Sequence, residues 1–347
     1  MQVTPRRLAL RSPLRTAWGE LREREVLHVR LDWGGSDFGE GEAAPLEPYD
    51  GVPLGAVAAA LQVYETVLRA ASPHASHRQL LDACAAERDL PQALAAVDLA
   101  LWDRAGRATR QPVAKLLAAG AAPSVTVNAT VGAEDRARAA AEAAAAARAG
   151  FGCVKVKVGV GDDAGRLAAV RAAVGPDVAI RVDANGAWSS ADEALANLRA
   201  LAPVGIEYAE EPVHGVEPLQ AVRADSPVPI AMDETAAEPG AAGSGAADAV
   251  CLKVSRCGGL TGLMRDAAAA RAAGSAVYVA STFDGPLGIA AGVHAAAALA
   301  ASGFVAPCGL ATLGLFEGFE DAVVGGAVAL PAGPGLIEGP RAEHGWL

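Results

Sequence analysis

Five charged residues close five consecutive β-branched runs: Lys157 ends CVKVK, Asp183 ends AIRVD, Glu210 ends IEYAE, Asp233 ends PIAMD and Lys253 ends AVCLK. Side chains alternate across a strand, so Lys155 and Lys157 share a face with Cys153, while Val154 and Val156 point the other way. Successive members lie 26, 27, 23 and 20 residues apart. That is about one strand–helix unit each, so consecutive parallel strands deliver the five groups to one end, the C-terminal face if the sheet closes into a barrel. A single acid after a strand is ordinarily a helix cap, and a single lysine is ordinarily solvated. Five in succession, ordered Lys, Asp, Glu, Asp, Lys, point to a reaction site.

The chemistry follows from charge. Three carboxylates converging on one point repel unless a hard divalent cation sits between them. Oxygen-only ligation by Asp183, Glu210 and Asp233, with no nearby His or Cys contribution, suits Mg²⁺, with Mn²⁺ as a substitute, rather than zinc. Such a metal holding a substrate carboxylate stabilises the enediolate formed when the adjacent carbon loses its proton. A lysine of ordinary pKa, about 10.4, is almost wholly protonated at neutral pH, and lowering it by about three units corresponds to about 4 kcal/mol. Lys155, two residues away on the same face, and the metal supply like charge of the right sign. Lys157 is therefore the expected base, with Lys155 beside it.

The elements that must position these groups are legible in the chain's rhythm. Residues 1–50 read as short strands, with Glu25–Trp33 alternating before the turn Gly34-Gly35-Ser36-Asp37. Residues 54–71 and 90–106 have helical spacing, giving a small α+β region that ends in the Ala/Gly/Pro patch at 118–123. Beyond it eight strand-like runs, from SVTVNAT to GFVAPCG, alternate with Ala-rich helical runs, the pattern of a parallel α/β barrel with room for one degenerate unit. The rival is an open doubly wound sheet. Its fingerprint candidate, Gly159-Val160-Gly161, is followed by Asp162-Asp163, the wrong charge for a pyrophosphate, so this loop reads as a plain turn.

Composition sets outer bounds. The 347 residues are 52% hydrophobic and 20% charged with a net charge of −11, enough for a large core and a poor match to nucleic acid or an anionic membrane. Five cysteines with no C-x-x-C pair read as reduced thiols in a cytoplasmic protein, and the N-terminus lacks the apolar run of a signal peptide. Residues 285–316 contain no Asp, Glu, Lys or Arg, but their Ala/Gly content, His294 and Pro307 favour a buried helix and strand over a membrane span. Flat Ala/Gly helix faces suit barrel packing or subunit contacts, and a homo-oligomer is expected.

The motifs Lys155-Val-Lys157, Val182-Asp183-Ala-Asn185-Gly-Ala-Trp188, Glu210-Glu211-Pro212, Asp233-Glu234-Thr235 and Lys253-x4-Gly258-Gly259, with the helix Ala100 to Val113, resemble the enolase superfamily in its muconate-lactonizing subgroup. The resemblance covers nearly the whole chain. It implies a modified (β/α)7β TIM-type barrel: an α+β cap with a linker helix at 1–118, the barrel at 119–320, and a segment at 321–347 returning to the cap. It also implies that Asp183, Glu210 and Asp233 are the metal ligands, that Asn185 and Glu234 support them, and that Lys157 and Lys253 face each other across the substrate.

Within the subgroup, Val127-Asn128-Ala-Thr130-Val131, Cys308-Gly309-Leu310-Ala311-Thr312 and Gly288-Ile-Ala-Ala-Gly292 look most like o-succinylbenzoate synthases. These dehydrate a cyclohexadiene carboxylate in menaquinone synthesis, and the resemblance implies Lys157 as base and then acid and Lys253 as a fixed charge. The alternative is a racemase or epimerase of N-acyl amino acids or dipeptides, or a cycloisomerase, with the two lysines as opposing acid and base. Dipeptide epimerases of the subgroup carry Asp-x-Asp where this chain reads Gly309-Leu-Ala311, which counts against them. Acid-sugar dehydratases usually place a histidine after the seventh strand, and none occurs from Ser281 to Ile289. A retained scaffold with a vestigial site is at odds with five intact charges.

Candidate substrate contacts are Arg15, Trp18 and Tyr49 in the cap, and Thr130, Ser281, Thr282, Asp284, Gly309 and Leu310 at the strand ends. Asp284 is a departure from the synthases: a carboxylate there would disfavour an anionic arm or bind an amino group. His214 is a candidate for the mouth of the site, and His294 reads as a core or interface histidine.

Overall fold

The structure is a computed structural model that describes residues 1–16, 19–132, 135–303, 306–320 and 322–337, without the side chains of Arg15 and Thr16. The chain opens with an antiparallel sheet of β1 (Gln2–Thr16), β2 (Gly19–Gly34) and β3 (Asp37–Ala43). Asp32 pairs with Phe38 and Gly34 with Asp37, so the expected hairpin forms with its turn at Gly35-Ser36. The alternation in β2 sends Leu27, Val29 and Leu31 to a core with the cap helices, while Val26 joins the barrel's core on the other face.

Five helices complete the cap: α1 (Glu47–Asp50), α2 (Leu54–Ala70), α3 (His77–Glu87), α4 (Pro91–Thr109) and α5 (Val113–Leu117). Ser76 and Gln79 form a capping box at the start of α3. The sheet lies unusually close to α4. A Cβ on Gly39 would fall 1.8 Å from Ala100 O, and one on Gly41 2.1 Å from Ala96 O, so only glycine permits this backbone-to-backbone approach.

The barrel strands are β5 (Ala129–Val131), β6 (Cys153–Lys157), β7 (Ala179–Asp183), β8 (Ile206–Glu210), β9 (Ile230–Met232), β10 (Ala249–Leu252) and β11 (Ala276–Val279), after a short β4 (Ser124–Thr126). They form one parallel sheet in sequential order from β5 to β11. The outer helices are α6 (Arg136–Arg148), α7 (Asp163–Val174), α8 (Ala191–Leu201), α9 (Val216–Asp225), α10 (Leu260–Ala272) and α11 (Pro286–Ala300). The sheet closes through single bridges, Val127 to Cys308 and Ala280 to Gly309, so the expected eighth strand is reduced to a contact on either side. This is the modified barrel with a capping sheet expected from the sequence.

Three local readings resolve here. SVTVNAT is two strands, not one: β4 turns aside to pair with β13 (Ala327–Ala329), itself paired with β12 (Val323–Val324), and only Ala129–Val131 enters the barrel. The Gly159–Asp163 loop is a plain turn, because Asp162 accepts from Gly165 N (3.3 Å) and caps α7. The uncharged stretch begins with α11, buried at every residue but the last; among the described residues no helix is long and apolar enough to cross a membrane. His294 on α11 is the expected core histidine, its Nδ1 accepting from Ala114 N (3.0 Å) and its Nε2 2.9 Å from Leu336 O, with burial pushing it down to about 4.

Candidate active site

Each of the five strand-end charges reaches the inside of the barrel's C-terminal end. Lys155 and Lys157 stand on β6 in register with Arg181 and Asp183 of β7, and Asp183 is level with Glu210 of β8. Asp233 and Lys253 follow β9 and β10 directly. All but Lys155 and Lys157 are buried, and those two are half-buried.

Ammonium and carboxylate groups interleave. Lys155 Nζ lies 2.8 Å from Asp183 Oδ2 and donates to Glu210 Oε1 at 2.8 Å. Lys157 Nζ donates to the same Asp183 Oδ2 at 2.6 Å and to Asn185 Oδ1. Lys253 Nζ donates to Asp233 Oδ1. Lys157 and Lys253 thus stand at opposite ends of the carboxylate row. Asn185, held at φ +46°, also donates to Glu234 Oε1 (2.9 Å), joining the second and fifth strand ends.

The electrostatics follow from how many ammonium groups each carboxylate holds. Burial opposes the charge of Asp183, but Lys155 and Lys157 outweigh it and hold its carboxyl well below the usual range. Glu210 shares only Lys155; burial, aided by Asp183 and Asp233, pushes it up to about 8. Burial also pushes Glu234 up to about 7, with Asp233 and Asp183 adding to it. For Lys155 and Lys253, burial disfavours the charge, yet the surrounding acids hold both well above the ordinary lysine value. The site is an acidic nest in want of cations.

That is the donor set a hard divalent ion requires. Glu210 and Asp233 offer oxygens within 4.8 Å of one another, and Lys155 bridges Glu210 to Asp183 where a cation's charge would serve. Glu234 Oε2 is buried without a hydrogen bond, and Glu210 Oε2 has the Lys155 ammonium 2.8 Å away. One expectation is corrected: Cys251 Sγ belongs to the same cluster, because it sits one pleat below Lys253 on β10. Burial pushes its thiol well up, so it offers no thiolate, and the charged donors of the cluster are the carboxylates.

The expected substrate contacts divide. Tyr49 reaches over the site from the cap: its hydroxyl lies 3.2 Å from Asp233 Oδ1, and its ring lies under Lys253 and Arg256, 5.2 and 4.8 Å from the centroid. Thr130 is exposed and in register with Lys155, on the bowl side. Ser281 is bonded to Thr312 (2.8 Å), and Gly309 serves the barrel closure. Thr282 is buried between Ser255 and Asp284. Asp284 is buried, accepts from Thr282 Oγ1 (2.7 Å) and has Lys253 among the charges it faces. Leu310 is likewise core, its side chain filling the space left by Gly292. Trp18 and the Arg15 side chain lie outside the described residues.

Other residues were not singled out from the sequence. Glu211, fully buried at φ +41°, accepts from Asp233 N (2.7 Å), Thr235 N (3.0 Å) and the Thr235 hydroxyl, fixing the backbone that carries Asp233. The Glu210-Glu211-Pro212 motif was the available signal. His214, which the sequence did offer as a candidate for the mouth, holds Glu211 from outside (3.0 Å), and that bond raises the His214 pKa. Arg256 stacks on Tyr49 and donates to Glu234 O (3.2 Å), which nothing in its local sequence announces. A groove of about 670 Å³ below the cap helices touches Asp233, Cys251, Lys253 and Arg256 but neither Lys157 nor Asp183, so it approaches the site from behind.

Two family models cover most of the chain: the mandelate racemase / muconate lactonizing enzyme N-terminal domain over residues 1–118, and the enolase C-terminal domain-like family over 138–338. The chain belongs to the enolase superfamily. Among its relatives is the o-succinylbenzoate synthase of Thermobifida fusca, 41% identical over 160 residues, which are 45% of this chain and 49% of that one. The match therefore spans about half the length of that synthase. Muconate cycloisomerase 1 of Rhodococcus opacus is 33% identical over 258 residues, 70% of this chain and 68% of its own. The solved L-Ala-D/L-Glu epimerase from Bacillus subtilis superposes with a TM-score of 0.87 at 27% identity, covering 96% of each chain.

Proposed function

We propose that this member of the superfamily is a metal-dependent lyase of the o-succinylbenzoate synthase type, acting on a small carboxylate in menaquinone biosynthesis in the cytoplasm. In this reading residues 1–118 cap the site, 119–320 form the catalytic barrel and 321–347 return to the cap. The observation that carries it is the placement of Lys157 and Lys253 at opposite ends of the Asp183–Glu210–Asp233 row. Asp183, Glu210 and Asp233 would hold Mg²⁺, or Mn²⁺ in its place, which when bound draws charge onto the substrate's carboxylate oxygens as the α-proton leaves.

Lys157, oriented by Asp183 and Asn185, removes the proton α to the carboxylate as a neutral amine. The electron pair moves into the carboxylate as an enediolate. It then returns to form the ring double bond as the C–O bond to the hydroxyl breaks, and Lys157 gives its proton to that hydroxyl, releasing water. Lys253, kept protonated by Asp233, stabilises the enediolate by its charge.

A second reading is a racemase, epimerase or cycloisomerase that uses both lysines as acid and base. It is favoured by the likeness of Lys253's setting to that of Lys157, each against one carboxylate, and by the superposition on an epimerase. The purified protein with Mg²⁺ in D₂O, given the cyclohexadiene precursor and, separately, N-succinyl amino acids and dipeptides, separates them. Dehydration with little α-deuterium exchange on the panel supports the lyase; exchange into one amino-acid class without dehydration replaces it with the second reading. Lys253→Arg should largely spare the lyase and abolish a two-base enzyme.

A further inference from the structure

The face of the cap sheet that rests on the barrel carries two buried ionisable groups, Arg24 on β2 and Glu42 on β3, and a third, Asp284, meets them from the loop after β11. Arg24 donates to Pro45 O (2.8 Å) and Ala44 O (3.2 Å) in the cap, and to Phe283 O (3.2 Å) in the barrel loop. Glu42 Oε1 accepts from Gly285 N at 2.7 Å, so a cap residue supplies the N-terminal cap of barrel helix α11. Asp284 Oδ1 accepts from Thr282 Oγ1 (2.7 Å), and Thr282 Oγ1 in turn lies 3.3 Å from Ser255 Oγ, two residues beyond Lys253. These bonds run from the Ala44-Pro45 loop that leads to Tyr49, through the seventh barrel loop, to the loop that carries Lys253.

Two carboxyl groups meet one guanidinium here. A Cβ on Gly288 would lie 2.8 Å from Glu42 Oε1 and 3.2 Å from Asp284 Cγ, so both acids border the same point. Arg24 donates through Nε, Nη1 and Nη2 to carbonyl oxygens rather than to either acid in a direct ion pair, and the first turn of α11 brings no acid. Charges facing the cluster from the elements around it are Asp50 toward Arg24 and Lys253 toward Asp284, with His28 opposite Glu42 in the sheet but 3.5 Å from Glu40.

We propose that Glu42, Arg24 and Asp284 form a buried lock that positions the cap loop bearing Tyr49 and the seventh barrel loop against each other, and that Glu42 is protonated while the lock is closed. Burial raises the Asp284 carboxyl pKa, while the Thr282 bond and Arg24 oppose the rise. Burial, with Asp284 next, pushes Glu42 up to about 8. Its value when the lock opens to water is that of an ordinary glutamate, so the closed state binds the extra proton between those two pH values. Opening therefore grows more favourable as pH rises through that window, by up to about tenfold per pH unit, and levels off above about pH 8. The three residues are positioning residues; none touches the reacting groups.

Amide hydrogen exchange of the full-length protein tests this without any substrate, so its outcome is separate from that of the proposed reaction. Rates in peptides covering 43–50 and 282–289, divided by the intrinsic chemical rate, should rise in wild type from about pH 5 to 8 and then flatten. Glu42→Gln, a neutral isostere whose carbonyl still accepts from Gly285 N, should keep both segments slow and remove the pH dependence, while Glu42→Ala should open both at every pH. In turnover of whichever substrate the protein accepts, Glu42→Ala should raise KM several-fold more than it lowers kcat, with Glu42→Gln restoring it. The proposal is overturned if Glu42→Ala leaves both segments as slow as wild type, or if Glu42→Gln follows the wild-type pH curve.

Discussion

Asp103 is the point at which three parts of the chain are tied together, and replacing it with asparagine has a calculable consequence. The side chain is fully buried on α4; Oδ2 accepts from Glu40 N (3.0 Å) and Arg107 Nε (2.6 Å), and Oδ1 accepts from Leu336 N (2.7 Å). An asparagine has one acceptor oxygen. Turned toward β3 and Arg107, it keeps two bonds and presents its NH₂ to Leu336 N, leaving a buried donor unsatisfied. That costs about 1–3 kcal/mol. The Arg107 bond also loses its charged acceptor, about another 1 kcal/mol, so the expected loss is about 3 kcal/mol in total. The opposite orientation sacrifices two donors, one of them charged, and is worse. With an unfolding entropy of about 2.1 cal/mol/K per residue, the 347-residue chain should lose about 4 °C in Tm. Scanning calorimetry reads this directly, and hydrogen exchange should show Gly335–Ile337 loosening while Glu40 stays protected. A Tm within 1 °C of wild type, with unchanged exchange at Leu336, would refute the reasoning.

Three further outcomes follow from the site and the cap. Tyr49→Phe removes a hydroxyl that lies 3.2 Å from Asp233 Oδ1; a bond that long falls at the lower end for charged acceptors, about 1.5 kcal/mol, so kcat/KM should drop about tenfold with little change in Tm. Gly41→Ala places a Cβ 2.1 Å from Ala96 O and must push β3 off the α4 backbone, an overpacking cost of about 3 kcal/mol that calorimetry will show as a loss of about 4 °C. Glu210, raised to about 8, binds a proton in the metal-free folded state that the unfolded chain releases at ordinary glutamate pH. Its stabilising contribution is therefore fully present in acid and is lost as pH rises toward about 8. In EDTA, Tm should fall from pH 5 to 8, and Mg²⁺, which favours the ionised carboxylate, should raise Tm more at pH 8 than at pH 5. An equal Mg²⁺ shift at both pH values would contradict it.

The sequence by itself determined the barrel and the row of charges, because strand periodicity and the length of a strand–helix unit fix which end of the sheet a strand-final side chain reaches. Asp183, Glu210, Asp233, Lys157 and Lys253 needed nothing more than their register in the parallel sheet. The hairpin at Gly35-Ser36 and the buried helix α11 were legible for the same reason, local pattern. The partnerships across the cap were not. Asp284 reads as a strand-end carboxylate like the others, and only the arrival of β3 with Glu42 and β2 with Arg24, some 240 residues away in the chain, places it at a buried contact between cap and barrel. Leu310 likewise became core because Gly292 on α11 leaves it room. Cys251 joined the acidic cluster because β9 and β10 lie side by side. Periodicity assigns a side chain to a face; what stands opposite that face is set by long-range packing, which no local spacing encodes.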